Sequence, residues 1–165
     1  MRKIYLSDEM VALAEYSPED NPALYACWCD PDTEKGYNHR DTETYEEYCA
    51  WERPPGWNAI ILRLRDETPV GAVGFVSENS DLSIMIYPAF RGMGYGTRAF
   101  ALGARYCAET LGLEKIYAGC YPDNKASIKM LERCGFAPHP EGNMQETHYL
   151  TGEPITQLDF VKELR

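Results

Sequence analysis

The segment that most restricts the fold runs Tyr87-Pro88-Ala89-Phe90-Arg91-Gly92-Met93-Gly94-Tyr95-Gly96-Thr97, with an apolar run before it and a helical pattern after it. Glycines at alternate positions 92, 94 and 96 let the chain turn sharply where side chains would collide. Between a strand and a helix, such a turn gathers several backbone N–H groups into one concavity at the positive end of the helix dipole, which suits a phosphate or pyrophosphate. The spacing narrows the choice of phosphate loop. No Gly-Lys-Ser or Gly-Lys-Thr follows, which excludes a Walker loop, and G-x-G-x-G is not the G-x-G-x-x-G of a dinucleotide fold.

The flanking pattern points the same way. Asn58 to Arg65, Val70 to Ser77 and Leu82 to Tyr87 are extended runs separated by Asp66-Glu67-Thr68-Pro69 and Glu78-Asn79-Ser80. Two short turns between three strands predict an antiparallel meander rather than parallel βαβ units. Upstream, residues 2–6 read as a strand and the stretches near 9–16, 22–29 and 43–52 as helices, the last with Thr44-x-x-Glu47 as a capping box. Downstream, Phe100, Ala104, Cys107 and Leu111 recur at the spacing of a helix laid on the sheet. Ile116 to Tyr121 reads as a buried strand, Lys125 to Cys134 as a helix ended by Gly135, and Ile155 to Val161 as a final strand. No repeat, low-complexity tract or linker divides the 165 residues, so a single domain spanning 1–165 is expected, an α/β sandwich of mixed α+β type.

Two motifs carry a family resemblance. Arg91-x-x-Gly94-x-Gly96 resembles the Arg/Gln-x-x-Gly-x-Gly/Ala signature with which GNAT acetyltransferases grip the CoA pyrophosphate. Asn124 to Phe136 resembles the later GNAT motif, in which an Asn starts a helix closed by Gly-Phe; on the residues alone, Asn124 caps that helix and Gly135 ends it, and both roles are compatible with a site. Glu141-Gly142 followed by Tyr149-Leu150-x-Gly152 is similar to the closing hairpin of the subgroup containing ribosomal-protein alanine/serine N-acetyltransferases and spermidine N-acetyltransferases. The resemblance implies a mostly antiparallel central sheet with splayed fourth and fifth strands and helices on both faces. It also implies acetyl-CoA as cosubstrate, held by Arg91, Gly92, Met93, Gly94, Tyr95, Gly96 and Thr97, by Asn124 and Ser127, and by backbone N–H groups at Met85 or Ile86. A homodimer using the final strands is compatible with it.

Acetyl transfer to an amine needs the neutral amine, and an alkyl ammonium titrates near ~10, so a base must remove a proton. The resemblance places that base on the fourth strand, at or beside Asp81, with Glu78 as the alternative. The family commonly protonates the leaving thiolate with a tyrosine at the position filled here by Leu131, which cannot donate. The role passes to Ser127, to Tyr121 or Tyr117, or to solvent. The expected activity is acetyl transfer to a primary amine of a protein N-terminus, a polyamine or an aminoglycoside-like molecule. The loss of the tyrosine supports a second reading, a module that binds acyl-CoA without turning it over.

Charge bears on the acceptor. Of the net −10, residues 1–52 hold −9, with 13 acidic and 4 basic side chains. Such a surface repels nucleic acid and draws cations, although the same carboxylates also serve simply to solvate helices. The six cysteines are scattered, and Cys27-Trp28-Cys29 lacks a second pair or a histidine at ligand spacing, so free thiols and no metal are expected. No apolar run has the length of a membrane span, and Ser7-Asp8-Glu9 interrupts the start before a signal-type segment develops; a cytoplasmic protein is expected.

Overall fold

In the computed structural model, which describes residues 1–165, the chain opens with two strands, β1 (Ile4–Ser7) and β2 (Val11–Ala14). Three short helices follow: α1 (Asn21–Trp28), α2 (Pro31–Tyr37) and α3 (Tyr45–Ala50). The meander is β3 (Gly56–Arg63), β4 (Thr68–Val76) and β5 (Asp81–Ile86), and the glycine turn leads into α4 (Tyr95–Glu109). The remainder is β6 (Lys115–Cys120), α5 (Lys125–Arg133), a two-residue β7 (Ala137–Pro138), β8 (Met144–Thr147) and β9 (Pro154–Glu163). The strands join in the order β1-β2-β3-β4-β5-β6-β9-β7, with β8 against β9, and every pairing is antiparallel except β5 with β6.

The helix expected near 9–16 is instead β2. Its four residues are all fully buried, because β2 lies between β1 and β3 with Val11 and Leu13 facing one core and Ala12 and Ala14 the other. A strand covered on both faces has no alternation and reads as a continuous apolar run, which periodicity cannot separate from a helix. One added strand makes the splayed pair β5 and β6. The sequence reading also passed over α2, whose start is signalled by Asp30 as N-cap, accepting from the Asp32 and Thr33 N–H groups, with Pro31 in the first turn. The capping box at Thr44 and Glu47 forms as expected.

Helices cover both faces. Phe100, Leu102, Ala104 and Cys107 of α4 pack with Leu131 of α5 against Val73, Leu82, Ile116 and Ala118, while α1 packs Leu24 and Cys27 against Ile60, Leu62 and Tyr87 on the other face. Each fully buried large side chain, such as Phe100, stabilises the fold by roughly 1.5–3 kcal/mol. β5 sits between the layers. Leu82, Ile84 and Ile86 point toward α4, whereas Met85, and with it Asp81 and Ser83, point toward the helices of the first third. All six cysteines are free thiols, four of them buried, and no helix is long and apolar enough to cross a membrane.

Candidate active site

At one end of the site the backbone does the work. Gly92 and Gly94 adopt left-handed φ values of 74° and 84°, and a Cβ built at either would meet nothing within 4 Å. The turn therefore faces an open concavity, with Gly94 at the N-cap of α4 and no side chain capping the helix's first N–H groups. Those free donors can receive an anion, and Lys129 and Arg133 of α5 line the same groove. Gly96 and Thr97 line it too, with Tyr95, whose ring is packed into the core; Met93 is half-exposed and lies outside the lining. The Arg91 guanidinium is committed elsewhere. It donates to Asp30 at 2.9 Å, to Thr33 Oγ1 at 2.8 Å and to the Ile86 carbonyl at 3.1 Å, bracing the turn against the N-terminus of α2.

The middle of the site is a gap in the sheet. β5 and β6 pair only at Asp81 and Tyr117 and then diverge, opening a groove of about 750 Å³. The Tyr87 N–H donates to the Val70 carbonyl, so the alternation of an antiparallel pair also turns the Met85 N–H toward β4. Ile84 and Ile86 then face the gap, and their carbonyls accept from outside the sheet, Ile84 from the Tyr37 hydroxyl and Ile86 from Arg91. Of the two backbone positions expected from sequence, Ile86 faces the gap and Met85 does not; Ile84 takes its place.

At the far end the groove is lined by Asp81, the phenols Tyr37 and Tyr121, and Gln157. Asp81 makes no hydrogen bond through its side chain, and burial, assisted by the charge of Asp159, raises its pKa to about 6. Glu78 is exposed in the turn before β5 and lies outside the groove. Asp159 accepts from or donates to His139 Nδ1 at 2.7 Å, according to tautomer and protonation. Tyr121 is buried and donates to Glu146 at 3.0 Å, while Gln157 donates to the phenol oxygen at 3.3 Å. Asn38, just beyond α2, donates to the same Glu146. Asn124 accepts from the Ser127 N–H as the N-cap of α5, and the Ser127 hydroxyl, which makes no hydrogen bond within the protein, belongs to a groove-lining residue. Leu131 is buried at the groove wall. A second cavity of about 500 Å³ adjoins the groove at Tyr37, Ser83, Ile84 and Met85 and is walled by Trp28, His39, Tyr48 and Trp51. Sequence reasoning missed Tyr37, Asn38, Glu146 and Gln157.

The site thus sets a glycine turn at a helix N-terminus beside two splayed parallel strands. Residues 11–137 match the acetyltransferase (GNAT) domain. The chain belongs to the GNAT acetyltransferase family. It is accordingly an N-acetyltransferase that draws its acetyl group from acetyl-CoA. It is 22% identical over 162 residues to the uncharacterized N-acetyltransferase YoaA of Bacillus subtilis (strain 168), covering 90% of each chain. A shorter match, 25% identical over 80 residues, covers 48% of this chain and 45% of a spermidine N(1)-acetyltransferase from Vibrio cholerae. Among solved structures, spermidine N-acetyltransferase from Vibrio cholerae in complex with CoA and spermine superposes with a TM-score of 0.82 at 16% identity, covering 95% of this chain and 97% of that one. At that identity the likeness speaks for the fold. The groove fits the GNAT cosubstrate by its own geometry: an open concavity above Gly92 and Gly94, and an unpaired strand edge at Ile84 and Ile86 leading from it.

Proposed function

We propose that this chain, acting as a single domain, transfers acetyl from acetyl-CoA to a primary amine by direct attack within a ternary complex. The observation that carries this reading is the polarity of one continuous groove. Phosphate-binding backbone and the basic residues Lys129 and Arg133 stand at one end, a free strand edge in the middle, and Asp81 at the other. Such an order suits a long anionic donor laid along β5 with its thioester toward the carboxylate end.

The backbone N–H groups of residues 92–97 hold the pyrophosphate, and Asn124 and Ser127 border the pantetheine arm. The Ile84 or Ile86 N–H faces the thioester oxygen, where a fixed donor stabilises the charge that develops during attack. Asp81, with its pKa near 6, is ionised at neutral pH yet basic enough to take a proton from an ammonium group directly or through water. Asp81 and Asp159 share one face of the sheet, and no arginine or lysine bonds either, so a cationic acceptor is favoured there.

A screen of acetyl-CoA turnover across polyamines, aminoglycosides, amino acids and N-terminal peptides, read by thiol release, tests the proposal. Turnover with at least one cationic amine is expected. Tight CoA binding with no thiol release for any amine would leave the acyl-CoA sensor as the correct reading.

A further inference from the structure

Converting an ammonium ion and a thioester into an amide and a thiol removes two protons from the nitrogen. One leaves to solvent and one ends on sulfur. Asp81 accounts for the first, but the tyrosine that would supply the second is absent at Leu131, and the groove holds another tyrosine in a different place.

The register locates it. Asp81 pairs with Tyr117 and the two strands run parallel, so Tyr121 lies level with Met85 across the gap, beside the unpaired Ile84–Ile86 edge. Tyr117 and Tyr121 are four residues apart on β6 and its extension, which puts Tyr121 on the same face as Asp81. The Tyr121 phenol lines the groove and is held by two side chains. Glu146 of β8 accepts its proton at 3.0 Å through Oε1, with Oε2 at 3.2 Å, and Gln157 of β9 donates to its oxygen. Asn38 donates to the same Oε1 of Glu146 at 3.2 Å. Glu146 forms no ion pair, so its only partners are neutral donors.

We propose that Tyr121 is the catalytic residue that carries the second proton from the amine nitrogen to the CoA sulfur, with Glu146 as the positioning residue that stores it. This rests on the ternary-complex reading above. As the amine adds to the thioester carbon, Tyr121 Oη takes an N–H proton and passes its own proton to Glu146, and the nitrogen keeps the electron pair of the broken bond. As the C–S bond breaks with its electrons going to sulfur, the Tyr121 proton moves to sulfur and Glu146 returns its proton to the phenol. The pair ends as it began, so no oxidant, reductant or outside acid is needed. Burial and Glu146 together push the Tyr121 pKa up to about 12, which keeps the phenol protonated through the working range.

The test uses the full-length protein and the conservative variants Tyr121→Phe and Glu146→Gln, with the best amine from the screen. Tyr121→Phe is expected to lower kcat about 100-fold with amine KM little changed and no recovery at alkaline pH, because high pH does not replace an acid. Glu146→Gln should lower kcat about 10-fold with the same pH shape, since the phenol remains but cannot be recharged. A readout without turnover is calorimetric CoA affinity. Wild type and Tyr121→Phe should agree at pH 6, and the variant should bind several-fold more weakly above the thiol pKa of ~8.5, where the phenol no longer solvates the thiolate. Wild-type turnover together with full activity in both variants overturns the proposal and leaves the acetyl-transfer reading intact. A wild type that releases no thiol with any amine overturns both.

Discussion

The two ends of the groove are built from different materials. The glycine end is built chiefly from backbone, with the left-handed Gly92 and Gly94 at the uncapped N-terminus of α4 and Lys129 and Arg133 of α5 beside them. The carboxylate end is made of side chains brought together from distant elements, with Asp81 on β5, Tyr121 after β6, Glu146 on β8, Gln157 on β9 and Asn38 beyond α2. A backbone site recognises what every donor of one class shares, and its donors stay put when side chains vary. A side-chain site can be retuned one residue at a time. The first is suited to a constant cosubstrate and the second to an acceptor and to proton handling.

The sharpest way to break this contrast is to damage the backbone end alone. Gly94→Val forces a β-branched residue into φ 84°, a conformation that costs an ordinary residue roughly 1–2 kcal/mol, and places its side chain in the open concavity. CoA affinity should fall by about 100-fold or more in a protein that remains folded, which titration calorimetry beside a thermal melt can measure. Unchanged affinity would move the phosphate site elsewhere.

A smaller effect is expected from Asp81→Asn, and its signature is in pH rather than in CoA binding. Wild-type activity should decline as pH falls through about 6, where Asp81 becomes protonated. The variant should lose about 10- to 100-fold in kcat/KM at pH 7 and regain part of it at high pH, where free amine is plentiful. The same carboxyl affects stability with a definite sign. Its folded pKa lies above the unfolded value of ~3.9, so its favourable contribution is complete below about pH 4 and is lost as pH rises through about 6. Asp81→Asn should therefore stabilise the protein at pH 8, by on the order of 1–3 kcal/mol, and change little at pH 4. A melt showing destabilisation at pH 8 would contradict the buried-charge account.

What could be read in advance follows the same division. Gly92, Gly94, Asn124 and Gly135 were legible because their tasks are local: a turn, a cap and a helix end within a few residues of sequence. Asn38 meets Glu146 across 108 positions and Tyr121 meets it across 25, and no local spacing rule encodes either contact. The meander and the long α4 announced themselves by clear periodicity, whereas β2 hid because a strand buried on both faces has none. From sequence alone Met85 and Ile86 are equal candidates for the gap; only the pairing of β4 with β5 shows which N–H groups are already used.

Ser127→Ala should have a milder effect than either preceding substitution. The Asn124 side chain caps α5 through the Ser127 backbone N–H, which alanine retains, so fold and CoA affinity should hold. If Tyr121 carries the proton to sulfur, the loss in kcat should stay within about threefold and show no pH signature. A loss near 100-fold without alkaline recovery would instead make the Ser127 hydroxyl the acid.

The smallest effect tests whether the acidic character of the acceptor side reaches beyond the groove. Residues 1–52 carry −9 of the net −10, and Asp41 and Glu43 line the second cavity, although Arg40 and Arg53 line it too. Steering by such a field operates over about a Debye length, ~10 Å at 0.1 M salt and ~30 Å at 0.01 M, so it should fade as salt rises. For a diamine acceptor, kcat/KM should fall about threefold between ~0.02 and ~0.3 M salt, and for a monoamine of similar size by less than about twofold. Adding viscogen at low salt checks that encounter, rather than chemistry, is being slowed. Equal or flat responses for the two amines would show that the charge of the first third only solvates its helices, and would confine acceptor recognition to the side chains of the groove itself.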